Sequence, residues 1–205
     1  MAKHYGYSKK VVTTRERALQ AAVELLGSEG VRALTHARVD ERAGLPRGST
    51  SNSFRTRAAL LAGVTGWVAE HEMGDFAPGF DAATATFDDV VDAMCALIEA
   101  QASTSRSRTV ARYALFLESV RDDELRRPLV ENRRRFEQWT ASMMAALGAP
   151  DPDTAARTLM ASSDGLILHR VTVDAGAELR PTVAMVLRAC LPLGVAAVER
   201  SGVDG

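Results

Sequence analysis

Residues 35–54 read THARVDERAGLPRGSTSNSF, and the reading of this stretch decides the fold. Thr35 is of a type that caps helix N-termini through its side-chain oxygen. Val39 and Ala43 follow one helical turn apart, so a short helix with a narrow apolar side is expected from Thr35 to Gly44. Gly44 ends it, because glycine accepts the left-handed backbone that other residues resist. Leu45 and Pro46 make a turn, and Pro46 suits a position at or just before a helix start. Residues 47–54 then form the next short helix. Two short helices joined by a tight, glycine-containing turn make a helix-turn-helix. Its second helix fits the major groove of duplex DNA while the first braces it.

The second helix is unusual for a packed element. Arg47, Gly48, Ser49, Thr50, Ser51, Asn52 and Ser53 offer no apolar residue before Phe54, and weak helix formers dominate. Hydroxyls, an amide and a guanidinium suit hydrogen bonding to base edges and phosphates. A Ser-rich surface loop is the plain alternative. Arg47 is the leading candidate, able to read guanine through two hydrogen bonds or to clamp a phosphate. Ser49, Thr50 and Asn52 are candidate base or backbone contacts, with Gly48 and Ser51 on the same surface. Thr35 and Thr56 stand at helix N-termini, where free amides attract phosphate.

Working outward, residues 1–13 are polar, basic and aperiodic and read as an arm. Lys9 and Lys10, with Arg15 and Arg17 just beyond, are candidates to touch the DNA backbone or minor groove. Arg15 to Ser28 carries Ala18, Leu19, Ala22, Val23, Leu25 and Leu26 at helical spacing, with Thr13 or Thr14 as cap and Gly30 as stop. Downstream, Thr56 caps a longer helix from Arg57 to about Glu72. Residues 74–85 break the pattern. Further helices are expected over 86–104, 107–120, 123–147, 153–175 and 181–199. No stretch alternates with period two long enough for a strand. The fold class is therefore all-α, about nine helices: a three-helix head in residues 1–60 and a larger body in 61–205.

Charge separates the same two parts. The net charge is −1, but residues 1–60 hold eleven Lys or Arg against five Asp or Glu, and 61–205 hold fourteen against twenty-one. A basic head on an acidic body suits a segment that faces phosphates. Cys95 and Cys190 lie in apolar runs without metal-ligand spacing and read as buried thiols in a reducing cytoplasm. Neither a secretory signal nor a membrane-spanning run is present, so a cytoplasmic protein off the membrane is expected. No cofactor motif, nucleophile elbow or metal-binding His pattern appears among the four histidines.

Residues 15–61 resemble the DNA-binding domain of the TetR family of transcriptional regulators. The resemblance rests on Ala21, Ala22, Leu25, Gly30, Thr35, Val39, Ala43–Gly44, Gly48, Phe54, Arg57 and Leu60. It implies a homodimer that binds double-stranded DNA and answers a small-molecule effector, most often as a repressor released by it. It makes Arg57 a phosphate contact and pairs the last two helices with those of a second subunit. The sequence departs from the family at Thr50 and Ser51, where an apolar residue and a tyrosine are usual, and at Ser53, His36 and Asp40.

In the body, His71, Arg112, Tyr113 and Glu118 are candidate polar pocket residues. Trp67, Met94, Cys95, Phe116, Trp139, Met143 and Met144 are candidate apolar walls, each also readable as ordinary core. The runs RDDELRR and ENRRRFE read as solvated helix faces. The final helices are apolar nearly all round and need cover on more than one side. Leu159, Ser163, Leu166, Ile167, Val183, Val186, Leu187 and Cys190 are the candidate dimer contacts, a fully internal core being the alternative. A small all-α enzyme and a protein-interaction adaptor are the rival readings.

Overall fold

The computed structural model describes residues 12–75, the last three by backbone alone, and 84–192. Among them are nine α-helices: α1 (Thr14–Glu29), α2 (His36–Ala43), α3 (Ser49–Ser53), α4 (Arg57–Asp75), α5 (Phe87–Ala102), α6 (Arg106–Ser119), α7 (Asp123–Ala146), α8 (Pro152–Thr172) and α9 (Arg180–Cys190). A single 3-10 turn, Val31–Ala33, links α1 to α2, and no strand occurs among the described residues. The fold is the all-α one expected.

The helix starts follow from local chemistry. The Thr13 hydroxyl accepts from the Glu16 amide at 3.1 Å, Thr35 from Arg38 at 3.3 Å and Thr56 from Ala59 at 3.0 Å. Each satisfies one of the amides a helix N-terminus leaves open. Thr86 and Asp89 exchange bonds reciprocally at the head of α5, and Asp151 caps α8 ahead of Pro152.

Two apolar cores organise the chain. One gathers Ala18, Leu19, Leu25 and Leu26 of α1 with Val39, Phe54, Leu60 and Val64, and continues through Ala111 and Leu115 of α6 to Leu125 and Leu129 of α7. The other lies among α5, α7, α8 and α9, around Val90, Ile98, Met144, Leu159, Ile167 and Leu187. The first core thus runs from the head into the body. Gly27 makes this possible. A Cβ there would lie 2.3 Å from the Ser107 carbonyl oxygen, so α1 sits on α6 at a distance only glycine allows.

The C-terminal end differs from expectation. The periodicity predicts a helix through 199, but α9 stops at Cys190 and Leu191 is extended, with φ −112° and ψ 149°. The cause is Pro192, whose ring disfavours helical backbone in the residue before it. Residues 193–199 lie outside the described residues, as do Lys9 and Lys10 of the arm and most of the predicted 74–85 break.

Candidate nucleic-acid interface and effector cavity

The helix-turn-helix is built around a carboxylate. Gly44 ends α2 in the left-handed region at φ 60°, and Gly48 opens α3 in the same region at φ 88°. Glycine has no side chain with which to cap α3. Asp40, on α2, does so from behind. Its Oδ2 accepts from the Gly48 amide at 2.8 Å, and its Oδ1 from the Thr50 amide at 2.8 Å and the Thr50 hydroxyl at 2.5 Å. Burial pushes the Asp40 carboxyl up, but the Thr50 hydroxyl and the two amides outweigh it and hold it below its usual range. The departure from the family pattern at Asp40 is therefore structural: α2 and α3 are tied together by one buried anion. His36 adds a second tie, its Nε2 lying 2.7 Å from the Phe54 carbonyl oxygen.

This geometry corrects one expected contact. Thr50 is fully buried, and its hydroxyl is spent on Asp40. It cannot reach DNA. The other α3 candidates keep an outer face: Arg47, Ser51, Asn52 and Ser53 are exposed, and Gly48 and Ser49 are half-buried. Arg47 has no ion pair or hydrogen bond from its side chain among the described residues. Ser49 donates to the Pro46 carbonyl oxygen at 2.7 Å. Arg57 is exposed but donates to the Val31 carbonyl oxygen at 3.0 Å. Two arginines read as possible DNA contacts are engaged in the scaffold. Arg17 donates to the Ala43 and Gly44 carbonyl oxygens at 2.7 and 3.3 Å, tying α1 to the end of α2. Arg15 lies over the Phe54 ring at 5.0 Å.

In the body, α5, α7 and α8 enclose a cavity of about 790 Å³. That lies within the usual range for small-molecule sites. Of the residues singled out in the sequence, Met94, Arg112, Trp139 and Met143 line it. Phe116 instead lines a much smaller pocket of about 60 Å³, between α4, α6 and α7. Trp67, His71, Cys95 and Tyr113 line neither. Trp67 packs against the first core and stacks on His71, ring centroids 3.7 Å apart. Cys95 packs against the second core, where burial pushes its thiol up. Met144 is wholly core, and Glu118 is exposed.

Between the two pockets stands a network of charges that the sequence did not signal as one. Arg112 contacts Glu72 of α4 at 3.0 Å, the Gln101 side-chain oxygen at 3.1 Å and Asp164 of α8 at 3.7 Å. Arg133 of α7 pairs with Asp164 at 2.7 Å. The Tyr113 hydroxyl donates to the Asp164 backbone oxygen at 3.1 Å, and burial leads in pushing its pKa up to about 12. Burial also raises Glu72 above the usual carboxylate range, against the pull of Arg112 and Arg108. Burial works against the Arg112 charge, and Glu72 more than restores it. Arg112 keeps its proton and faces Glu72 at 3.0 Å, so burial and this guanidinium act on the Glu72 carboxyl in opposite directions. Arg133, from the run read as a solvated face, was missed. So was Asp164, although one carboxylate inside LMASSDGLIL is a legible anomaly.

Most of the expected dimer contacts lie inside the protomer. Leu159, Ile167, Val183, Leu187 and Cys190 are buried in the second core, because α8 and α9 pack on each other and on α5 and α7. Leu159, Ser163 and Ile167 line the cavity. Leu166 and Val186 are half-buried against the same core. The apolar and small residues that α8 and α9 leave outside are Leu168, 48% exposed, and Met185, 66% exposed, with Ala161, Gly165 and Ala189, beside the polar His169 and Arg188. No helix among the described residues is long and apolar enough to cross a membrane.

Comparison with known proteins bears on this arrangement. Residues 85–193 match the family model of the tetracycline-repressor-like C-terminal domain. No protein of curated function matches the sequence. Among solved structures, a TetR-family member from Streptomyces coelicolor A3 is 25% identical, covering 88% of this chain and 99% of its own, with a TM-score of 0.71. A transcriptional regulator from Rhodococcus sp. Rha1 is 19% identical, covering 87% and 98%, with a TM-score of 0.70. The multidrug-binding protein EbrR, complexed with ethidium, is 24% identical, covering 88% and 100%, with a TM-score of 0.69. The family model spans more than half of the chain and follows a capped helix-turn-helix, and the chain belongs to the TetR family of transcriptional regulators.

Proposed function

We propose that the chain binds duplex DNA as a homodimer through α3 and acts as a repressor that an effector in the 790 Å³ cavity releases. Residues 1–60 supply the DNA-binding head and 61–205 the effector and dimer body. The observation that carries the reading is the outward face of α3. Its first amides are fixed from behind by Asp40, while Arg47, Ser51 and Asn52 point to solvent with their hydrogen-bonding groups available. A helix with no apolar side gains little by packing, and it is well suited to a groove edged with acceptors and phosphates.

Release works through α4 in this reading. Glu72 stands near its far end, and its contact with Arg112 lies beside the cavity wall. α4 begins four residues after α3, and its Leu60 and Val64 belong to the head's core. An effector that favours one position of Arg112 therefore favours one position of α4. Only such a difference in affinity between two states shifts their populations. EbrR with bound ethidium supports a small molecule in a body of this fold. The cavity binds its occupant and does not transform it. Dimer contacts fall to the exposed side of α8 and α9, around Leu168 and Met185.

The test is a gel shift with the DNA upstream of the chain's own gene at moderate salt. A discrete, competitor-resistant complex is expected, lost in Arg47→Ala and weakened steeply by added salt. Absence of any specific complex, or an Arg47→Ala variant equal to the parent, would overturn the proposal.

A further inference from the structure

We infer that the cavity selects an uncharged, largely apolar molecule, held through one hydroxyl or carbonyl oxygen on the side that carries Ser163 and Gln101, and that it rejects organic ions of either sign. The inference rests on the reading of the cavity as an effector site and names the ligand class that site takes.

The walls are apolar along α5 and α7, where Met94, Leu97, Trp139 and Met143 line the space. Charge enters the lining only as Arg112, Arg133 and Asp164. These groups already have partners. Arg133 reaches one Asp164 oxygen at 2.7 Å, and Arg112 lies 3.7 Å from the other and 3.0 Å from Glu72 behind the wall. Two guanidiniums thus meet two carboxyl groups. Arg108, which also acts on Glu72, does not line the cavity and donates to the Ser105 hydroxyl at 3.0 Å. Neither sign is offered more openly than the other, since the Arg133 and Asp164 side chains are each 33% exposed. An entering carboxylate must take Arg133 from Asp164, and an entering ammonium must take Asp164 from Arg133. Either step strips a half-buried charge of its partner while the ion gives up its own hydration. An uncharged ligand meets neither cost.

What that side offers beyond its ion pairs is uncharged. Thr140, Ser142 and Thr172 return their hydroxyl protons to the carbonyl four residues back in their helices. Ser163 also sits mid-helix and lines the cavity, but its side chain makes no hydrogen bond among the described residues. Gln101 is 5% exposed and gives its side-chain oxygen to Arg112 at 3.1 Å. Its amide N–H groups are then what it can present, and they have no acceptor among the described residues. Arg112 touches both Gln101 and Asp164, the neighbour of Ser163, so the two uncharged groups stand on one side of the cavity. A ligand oxygen can accept from both, and a ligand hydroxyl can also donate to Ser163.

The experiment titrates the full-length protein at neutral pH with 1-decanol, decanoate and decylamine, one chain with three headgroups, by calorimetry and tryptophan fluorescence. Decanol is expected to bind at least about tenfold more tightly than either ion, because only the ions disturb the paired wall. Ser163→Ala should weaken decanol by about three- to tenfold, the range of one neutral hydrogen bond. Asp164→Asn frees Arg133 and should raise decanoate affinity alone. Arg133→Gln frees Asp164 and should raise decylamine affinity alone. Met143→Trp narrows the cavity and should weaken decanol. Circular dichroism confirms that the variants are folded. Three results overturn the inference while leaving the cavity a binding site: an ion that binds the parent as tightly as decanol, charge variants that leave the ion affinities where they were, or a Ser163→Ala variant that holds decanol like the parent. Failure of all three probes to bind, or decanol binding untouched by Met143→Trp, overturns the effector-site reading and the inference together.

Discussion

The head and the body solve the problem of buried charge in opposite ways. In the head a single carboxylate, Asp40, is surrounded by three donors that belong to one short helix and its cap. Every bond is short and fixed, and the result is a rigid helix presented to solvent. In the body Glu72, Arg112, Arg133 and Asp164 share partners across four helices, at separations from 2.7 to 3.7 Å, beside an open cavity. Such a network has more than one way to be satisfied. The first arrangement suits a part that must hold its shape against DNA, and the second a part that must change on binding.

Removing Asp40 tests the first half of that contrast and carries the largest expected effect. Asp40→Ala leaves the Gly48 amide, the Thr50 amide and the Thr50 hydroxyl without their acceptor. Unmet buried donors of this kind cost about 1–3 kcal/mol each, so a loss of about 3 kcal/mol or more is expected in chemical denaturation. DNA affinity should fall with it, since α3 has no other cap. Asp40→Asn keeps the shape but offers one acceptor in place of two, and should lie between. If Asp40→Ala melts and binds like the parent, the rigid-head half of the comparison fails.

Next in size is the joint between the two regions. Gly27→Ala sets a methyl group 2.3 Å from the Ser107 carbonyl oxygen, where only backbone movement can relieve it. Overpacking costs about 1–3 kcal/mol, partly offset by alanine's better helix propensity of about 1 kcal/mol. A net loss of stability is expected, with α1 displaced from α6. The sharper readout is functional: effector release of DNA should weaken more than DNA binding itself. Equal effects on both would mean that this joint carries no communication.

What could be read from the sequence follows the same division. Thr13, Thr35 and Thr56 act on amides three residues away, and Gly44 and Pro192 act on their own turns. Local chemistry of this kind is legible in any single chain. The Asp40 cap spans ten residues, and the sequence marks it only as an odd residue, so spacing alone puts Thr50 on the outer side of its helix. The cavity depends on contacts such as Arg133 with Asp164, 31 residues apart, and Arg112 with Glu72 across two helices. Periodicity marks a residue as apolar without saying what covers it. For that reason the pattern points Leu159, Ile167 and Leu187 toward a partner, while their own protomer covers them.

A smaller effect is expected at the outer side of α8 and α9. Leu168→Glu, with Met185→Glu as its companion, places charge on apolar surface that a second subunit would bury. Loss of one such contact weakens association by about tenfold, or 1.4 kcal/mol, the lower range for central interface residues. Sedimentation should show a shift toward monomer, and affinity for a two-half-site operator should drop while a single half-site is bound as before. An unchanged sedimentation profile would move the dimer contacts elsewhere.

The smallest effect, and the one that sets the two regions directly against each other, is their response to acid. Asp40 titrates below its usual 3.8 in the folded chain. Its contribution is therefore complete above that value and is lost as pH falls through the lower folded one. Glu72 is displaced the other way, above its usual 4.5. Its contribution is complete below that value and is lost as pH rises through the higher folded one. As pH falls, Glu72 should thus take up its proton first and relieve the body, and Asp40 only later, loosening the head. Hydrogen exchange followed by mass spectrometry can separate the two. Peptides spanning α3 should keep their protection until the pH is below the ordinary aspartate range, and Asp40→Asn should abolish the acid step there. Peptides from α6 around Arg112 should gain or hold protection over the earlier interval. Loss of protection in both regions at the same pH would show one cooperative unit rather than two differently charged ones, and the contrast between a fixed anion and a shared one would no longer explain the division of labour.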